Sequence, residues 1–301
     1  MNFTNILREI EKAGTGEHEK QSDRREVLKS FGAKVAIAAL PIAVSSLFKK
    51  SYARTTATES VVTALNFILE LEYLEYAFFT TGVNTGSLIP AADVPGFQTI
   101  MTQDGEQIAL LIAAVTALGG TPYEPANYSA STTNPPYVPA GFDFTAGGTY
   151  PLVFSDYPTF LIVAQIIKDT AVHAYKGQLQ YLIGNTTLFI QMMELQCTEA
   201  RHAAHTRLVR RLLTTTVATD YPAPWITEAI APTPALLPYY NGDGGVDLTE
   251  NNTIQNGIQI NNLADNYSTT AVIPQISASA AFDETMDMAT VLSLLGPFIV
   301  A

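Results

Sequence analysis

The chain has 301 residues, of which 47% are hydrophobic, so it is long enough to bury a sizeable core in one or two domains. Its formal net charge of −12 argues against nucleic acid or an anionic membrane as a partner. The single cysteine, Cys197, excludes an intrachain disulfide, and its place in a helical pattern predicts a small buried side chain.

Residues 1–53 are predicted to be an export signal rather than part of the fold. Residues 22–29 resemble a twin-arginine motif, because Arg24 and Arg25 are followed by an apolar residue, leucine and lysine. An apolar run over 31–48 comes next, and small residues then precede a cleavage site that we expect after Ala53. We therefore expect the protein in the periplasm or at the cell exterior, with no membrane partner after cleavage. The alternative is an uncleaved N-terminal membrane anchor, although the run is short for a span.

Cleavage after Ala53 would change the charge of the protein. Nine of the 16 basic residues and six of the 28 acidic residues lie in residues 1–53. The mature chain would keep seven basic and 22 acidic residues, a net charge of −15. Only two of its basic residues would be lysines, Lys168 and Lys176.

Apolar periodicity predicts four long helices after the signal, which together form an all-α four-helix bundle over 54–214. Their predicted ranges are 60–81, 96–118, 157–183 and 187–214. Residues 120–156 are rich in proline, glycine and threonine and predict a long crossover, which would make the second and third helices parallel. Residues 215–301 predict an irregular excursion with short strands or turns over 215–280, packed on the bundle, and then a short fifth helix over 283–295.

The first predicted helix carries three carboxylates inside an apolar and aromatic segment. Leu65, Glu72 and Phe79 recur at seven-residue spacing and so share one face, and Glu75 points the same way as Glu72. A buried carboxylate is costly unless a cation, a metal or a hydrogen-bond donor meets it. We give Glu75 a secondary role, either flanking the site or bonding across helices.

The other three helices also place polar residues midway along apolar stripes. These residues are Asp104 and Gln107 in the second helix, Lys168 in the third, and Glu199 and His202 in the fourth. Some helical bundles hold two metal ions with a Glu from each of two helices and a Glu-x-x-His pair from each of the others. Glu199 and His202 form such a pair. By contrast, His173 is expected to be exposed, and Asp169, about 100° round the helix from Lys168, is not expected to supply a carboxylate ligand at the Lys168 position.

Several segments of the mature chain are similar to those of a known family. They are residues 65–79, 117–122, 171–175, 199–203, 281–284 and 297–299. On these segments the sequence resembles the exported bacterial ferritin-like domain proteins, which are kin to the plant desiccation-related proteins. The resemblance implies a ferritin-like four-helix bundle over most of the mature chain, and residues 215–280 contribute nothing specific to it.

The resemblance also implies a set of metal-ligand positions in the bundle core. Glu72 falls at the first-helix ligand, and Glu199 with His202 falls at the fourth-helix pair. Asp104 and Gln107 occupy the second-helix Glu-x-x-His position. An aspartate there is shorter than a glutamate, and a glutamine carbonyl is a poor substitute for imidazole on iron.

The third-helix glutamate of the family pattern is replaced by Lys168. A protonated amine cannot bind a metal, but at ~4 Å it attracts a carboxylate by about 4 kcal/mol at an effective dielectric constant near 20. We therefore expect a core ion pair of Lys168 with Glu72 and Glu199, and no cofactor. Two alternatives stay open: a single metal held by Glu72, Glu199 and His202, and a loaded site with two iron or manganese ions.

The favoured functional hypothesis is an exported, non-catalytic ferritin-like protein with a degenerate di-metal site and a structural, stress-protective or binding role. The first alternative is a di-iron or di-manganese oxidase of the ferroxidase or peroxide-consuming type, which needs two metals bridged by carboxylates. The second is a cell-surface assembly subunit, because the acidic surface and the long excursion permit a homo-oligomer. The sequence contains no phosphate loop and no nucleophile elbow, and it identifies no small-molecule ligand.

Overall fold

The computed structural model describes most of residues 55–301. The described residues are 55–125, 141–213, 225–226, 234–241, 249–263 and 272–299. The predicted signal and its cleavage site lie outside them. Among the described residues, no helix is both long enough and apolar enough to span a membrane.

Four long helices make up the body of the fold and confirm the predicted bundle. They are α1 (Thr55–Asn84), α2 (Val94–Ala117), α3 (Tyr157–Gln178) and α4 (Thr186–Leu213). α2 begins with a proline in its first turn, and the Asp156 side chain caps α3 by accepting from the backbone N–H of Thr159. α3 ends earlier than the predicted residue 183, because residues Leu179–Leu182 form a 3₁₀ turn before Gly184.

The helices pack as two hairpins, α1 against α2 and α3 against α4. The Tyr157 hydroxyl at the start of α3 donates a 2.9 Å hydrogen bond to Asp93, just before α2. The two helices therefore begin at the same end of the bundle and run parallel, as the long connection between them predicted. The described end of that connection, residues 141–156, consists mainly of turns.

A cluster of phenylalanines closes one end of the bundle core. The Phe78 and Phe160 rings stack with centroids 4.9 Å apart, and Phe79 and Phe97 stack at 5.8 Å. Both pairs are fully buried. The centroid of the Phe79 ring also lies 5.4 Å from Lys168 Nζ. The phenylalanine cluster therefore packs directly against the polar side chains described below.

The elements that the structure describes after α4 are all short. They are three 3₁₀ turns (Pro234–Tyr239, Ile260–Asn262 and Gly296–Phe298), an antiparallel hairpin of β1 (Ile254–Gln255) and β2 (Ile258–Gln259), α5 (Gln275–Ala280) and α6 (Met288–Leu295). The hairpin matches the predicted strands or turns, whereas α5 is an additional helix. The predicted fifth helix begins later than expected, at Met288, because the Asp287 side chain caps it there by accepting from the N–H of Thr290.

The C-terminal segment, residues 281–299, packs directly on α3. The Met286 N–H donates a 3.2 Å hydrogen bond to the carbonyl of His173. A Cβ atom at Gly177 would lie 2.1 Å from the Met286 carbonyl oxygen, so only glycine permits this approach. His173 is consequently buried, and the prediction that it is exposed was wrong.

The prediction of a buried Cys197 was also wrong, because the thiol is exposed on the outer face of α4. α4 turns Glu199, His202 and Thr206 toward the core. Cys197 is two residues before Glu199, about 200° round the helix, and so it faces away.

Candidate functional site

The four helices converge on the side chain of Lys168, which is completely buried on α3. Its Nζ atom lies 2.7 Å from Glu199 Oε2 on α4 and 2.9 Å from Asp104 Oδ1 on α2. Glu75 Oε1 on α1 is 3.3 Å away. One ammonium thus bridges all four helices. We call Lys168 and the polar side chains around it the lysine cluster. Its other members are Glu72, Glu75, Asp104, Gln107, Tyr175, Glu199 and His202.

The partners of Lys168 differ in part from those that the sequence predicted. Glu199 is a partner, as expected. Glu72, the other predicted partner, instead accepts a 2.6 Å hydrogen bond from the Tyr175 hydroxyl, and Glu75 takes its place at the ammonium. The reason is that α1 and α3 are antiparallel. Moving forward along α3 from Lys168 to Tyr175 therefore corresponds to moving backward along α1 from Glu75 to Glu72. Lys168 faces Glu75, and Tyr175 faces Glu72.

Gln107 connects the two halves of the lysine cluster. Its amide nitrogen donates a 2.6 Å hydrogen bond to Glu199 Oε1, and its oxygen accepts from Tyr175 at 3.3 Å. At the Glu-x-x-His position of α2, this residue therefore acts as a hydrogen-bond bridge. Its carbonyl oxygen is directed at the tyrosine.

His202 lies at the edge of the lysine cluster. Its Nδ1 atom is 3.2 Å from Glu199 Oε1 and 3.4 Å from Asp104 Oδ1. Its Nε2 atom is 2.6 Å from the Gln103 side-chain oxygen, a contact that the sequence analysis missed. Gln103 directly precedes Asp104 and is only partly buried, so periodicity gave no signal for it.

The electrostatics of the cluster favour a charged lysine. Burial alone would lower the pKa of Lys168, but Asp104, Glu199 and Glu75 raise it well above its usual value. Burial likewise opposes ionisation of Glu199, yet Lys168 and His202 hold the pKa of that carboxyl down to about 2. Lys168 and Glu199 are therefore the ionised pair at the centre.

The two carboxyls of α1 behave in the opposite way. Burial raises the pKa of both Glu72 and Glu75 well above 4.5, and the nearby Glu199 and Asp104 raise that of Glu72 further. For Glu75 the attraction of Lys168 offsets only part of the cost of burial. The cluster thus contains more carboxyl groups than one ammonium can neutralise. The raised pKa values of Glu72 and Glu75 favour the protonated form of these two carboxyls.

Several carboxylate oxygens of the cluster have no hydrogen-bond partner among the residues that the structure describes. They are Glu72 Oε2, both oxygens of Glu75 and Asp104 Oδ2. One oxygen from each of these residues and from Glu199 lies within 4.8 Å of the others. Asp104, Glu199 and His202 form a second, overlapping set. The donors therefore suit one additional cation beside Lys168. They do not suit two, because the ammonium stands at the third-helix position.

Asp169, the residue after Lys168, enters a separate buried cluster. Its carboxylate pairs with Arg207 of α4 and accepts a 2.8 Å hydrogen bond from the hydroxyl of Tyr240. That hydroxyl accepts in turn from the Gln165 amide at 2.8 Å. As predicted, Asp169 therefore does not supply a carboxylate at the Lys168 position. Tyr240 was not predicted as a core residue, because it comes from the excursion, where no periodicity marks a buried residue.

Comparison with known proteins adds one finding. A family model described as a ferritin-like domain matches residues 60–212, about half of the chain. That range contains every residue of the lysine cluster. No curated protein matches the chain.

Proposed function

The chain belongs to the ferritin-like domain family, and from that premise we propose that it is an exported, non-catalytic member. In this proposal the ammonium of Lys168 takes the place of the metal centre. The protein would act outside the cytoplasm in a structural, stress-protective or binding role. The single observation that carries the proposal is that Nζ lies 2.7 Å from Glu199 and 2.9 Å from Asp104.

The donor set supports the proposal because it does not fit two metal ions. Two-metal bundles use a Glu from each of two helices and a Glu-x-x-His pair from each of the other two. Here α1 provides Glu72 and α4 provides Glu199 with His202. α3 provides a cation, and the amide nitrogen of Gln107 on α2 is directed at Glu199. A metal ion next to Lys168 would also be repelled by the ammonium.

The charge distribution supports the same conclusion. A di-metal oxidase would hold two redox ions together with bridging carboxylates. Three of the carboxylates in this core, Glu75, Asp104 and Glu199, are already paired with Lys168. The di-metal oxidase therefore remains the less favoured alternative.

The role outside the cytoplasm rests on features of the sequence. The motif at residues 22–29 resembles a twin-arginine signal, and the chain that follows has a net charge of −15 by the count above. A strongly acidic surface keeps proteins soluble and apart from one another. This property suits a stress-protective protein of the kind that the resemblance to desiccation-related proteins implies.

A second candidate is a ferritin-like protein that holds one metal ion. The unpartnered oxygens of Glu72, Glu75 and Asp104 favour it, because they converge beside Lys168. These three residues, with Glu199, would hold the ion. When bound, iron or manganese would supply one-electron redox chemistry. The residues themselves would only bind the ion and exclude water from it.

Metal analysis of the exported protein tests the proposal. We expect less than one iron or manganese ion per chain in the wild type. Lys168→Glu restores a carboxylate at the third-helix position and should gain iron or manganese. Lys168→Gln, the matched control, removes the charge without adding a ligand and should gain none. Two iron or manganese ions per chain in the wild type would contradict the proposal, and one would favour the second candidate.

Export is tested separately. Replacing both Arg24 and Arg25 by lysine should keep the protein in the cytoplasm, as cell fractionation would show. An unchanged distribution would exclude the twin-arginine route. Light scattering of the exported protein would identify a homo-oligomer, which the assembly-subunit alternative requires.

A further inference from the structure

Three residues with metal-binding side chains meet outside the lysine cluster, between α3 and the segments that follow the bundle. They are His173 of α3, Glu250 of the excursion and Asp283 of the C-terminal segment. One ligand atom from each lies within 4.8 Å of the other two. The fold therefore brings an imidazole and two carboxylates together from three distant parts of the sequence.

Two of these side chains are almost completely buried, and each has one polar atom without a hydrogen-bond partner. His173 is 2% exposed and Glu250 is 1% exposed. Within the described part of the chain, neither His173 Nε2 nor Glu250 Oε2 has a hydrogen-bond partner. The imidazole nitrogen lies 3.3 Å from the other carboxylate oxygen, Oε1. Buried polar atoms normally have a partner, so these atoms point to a missing ligand.

The orientation of Glu250 is fixed by the backbone. Its Oε1 atom accepts a 3.0 Å hydrogen bond from the N–H of Glu284. The Met286 N–H is in turn bonded to the carbonyl of His173. These contacts hold the histidine, Glu250 and the segment that carries Asp283 in place, so the arrangement does not depend on exposed side chains.

The charges around this point leave room for a divalent cation. Four carboxylates influence one another here: Glu250, Asp283, Glu284 and Asp169. The cations that act on Asp283 are Arg207 and Lys176. Arg207 pairs with Asp169, and Lys176 donates to the backbone carbonyl of Asp283. The four carboxylates outnumber these two cations, and burial raises the pKa of Glu250 to about 8.

We propose that His173, Glu250 and Asp283 form a second metal site, the tail site, for a divalent cation of the zinc type. One imidazole nitrogen and two carboxylate oxygens suit Zn²⁺, with water as the fourth ligand of a tetrahedron. Because the three ligands come from α3, the excursion and the C-terminal segment, the bound ion fastens both of these segments to the bundle.

Zinc titration of the purified exported protein, after removal of metal with a chelator, tests the tail site. We expect one Zn²⁺ ion per chain at pH 7. His173→Gln and Glu250→Gln should each weaken zinc binding at least about tenfold. The matched control, His205→Gln, removes an imidazole of α4 that belongs to neither group of candidate ligands and should leave zinc affinity unchanged. Zinc should also slow proteolytic cleavage in residues 241–299 of the wild type.

Two results would overturn the proposal. One is a folded wild-type protein that binds no zinc. The other is zinc binding that survives His173→Gln but is lost in His202→Gln. If the tail-site variants do not fold, X-ray absorption of zinc on the wild type decides instead. One nitrogen and otherwise oxygen ligands that persist in His202→Gln support the tail site, whereas sulfur from Cys197, oxygen alone, or loss of the nitrogen in His202→Gln would contradict it.

Discussion

Lys168 and Asp169 are neighbours in α3, yet their side chains enter two separate buried clusters. Lys168 pairs with Glu75, Asp104 and Glu199 in the centre of the bundle. Asp169, about 100° further round the helix, pairs with Arg207 of α4 on the side where Tyr240 covers α3. α3 therefore contributes to both the lysine cluster and the buried contacts that hold Tyr240 of the excursion against the bundle.

Lys168→Met should strongly destabilise the protein. The variant leaves Glu75, Asp104 and Glu199 buried without their cation, and the loss of one partner of a buried ion pair commonly costs ~3–5 kcal/mol. Urea unfolding followed by circular dichroism would measure the change. The control Arg201→Met removes an exposed cation of α4 and should change the free energy of unfolding by less than about 0.5 kcal/mol. A loss below about 1 kcal/mol for Lys168→Met would show that the ammonium is not the central counterion.

The stability of the metal-free protein should fall as pH rises, in part because of Glu72. Burial raises the pKa of this carboxyl in the folded protein well above 4.5, its ordinary value in an unfolded chain. Its contribution to stability is therefore complete below pH 4.5 and is lost as pH rises toward the folded pKa. The slope is at most about 1.4 kcal/mol per pH unit.

Glu72→Gln tests this dependence because glutamine stays neutral and can still accept from Tyr175. The free energy of unfolding of the variant should decline less steeply above pH 4.5 than that of the wild type. Urea unfolding in a chelator at several pH values would measure both curves. Glu194→Gln, at an exposed position of α4, should follow the wild type. Parallel curves for wild type and Glu72→Gln would mean that Glu72 is already ionised in the fold.

Tyr240→Phe should loosen the excursion from α3. The hydroxyl donates to Asp169 and accepts from Gln165, both at 2.8 Å, so its removal leaves two buried polar groups unsatisfied. We expect a loss of about 1–3 kcal/mol in the free energy of unfolding. Tyr181→Phe, at a hydroxyl on a ring that is 46% exposed, is the matched control and should be nearly neutral. Equal effects of the two substitutions would show that the hydrogen bonds of Tyr240 to Asp169 and Gln165 do not hold the excursion on α3.

Gly177→Ala should displace the C-terminal segment from α3. The new Cβ atom would lie 2.1 Å from the Met286 carbonyl oxygen, which is backbone and cannot rotate away. We expect a cost of about 1–3 kcal/mol and faster proteolysis of residues 281–299. Gly86→Ala is the control, because no atom lies within 4 Å of its Cβ position. Unchanged proteolysis of Gly177→Ala would show that the segment does not pack on α3 in solution.

The helices and the central lysine followed from the sequence because both leave a periodic signal. Apolar stripes at helical spacing located α1 to α4, and Lys168 was identified as a cation in the middle of such a stripe. The exact partners did not follow. Whether Glu72 or Glu75 faces the ammonium depends on how far α1 and α3 are displaced along each other, and a single helix carries no information on that displacement.

The features outside the bundle could not be predicted for a different reason. Tyr240 and Glu250 lie in a stretch without regular spacing, where burial comes from long-range packing alone. His173 was expected at the surface because its own helix gave no indication that residues 281–299 cover it. Gly177, one turn after His173, is the only local clue to that covering, and its meaning requires knowing where Met286 lies.

The four-way contact of Lys168 has a consequence for how the two hairpins dock. Their apolar faces alone would tolerate sliding by one helical turn, about 5.4 Å. After such a slip the ammonium would keep Glu199, which belongs to its own hairpin, but would leave Glu75 and Asp104 of the other hairpin buried without their cation. The lysine therefore fixes the register of the bundle, in the way that a single buried polar residue selects one alignment of a coiled coil.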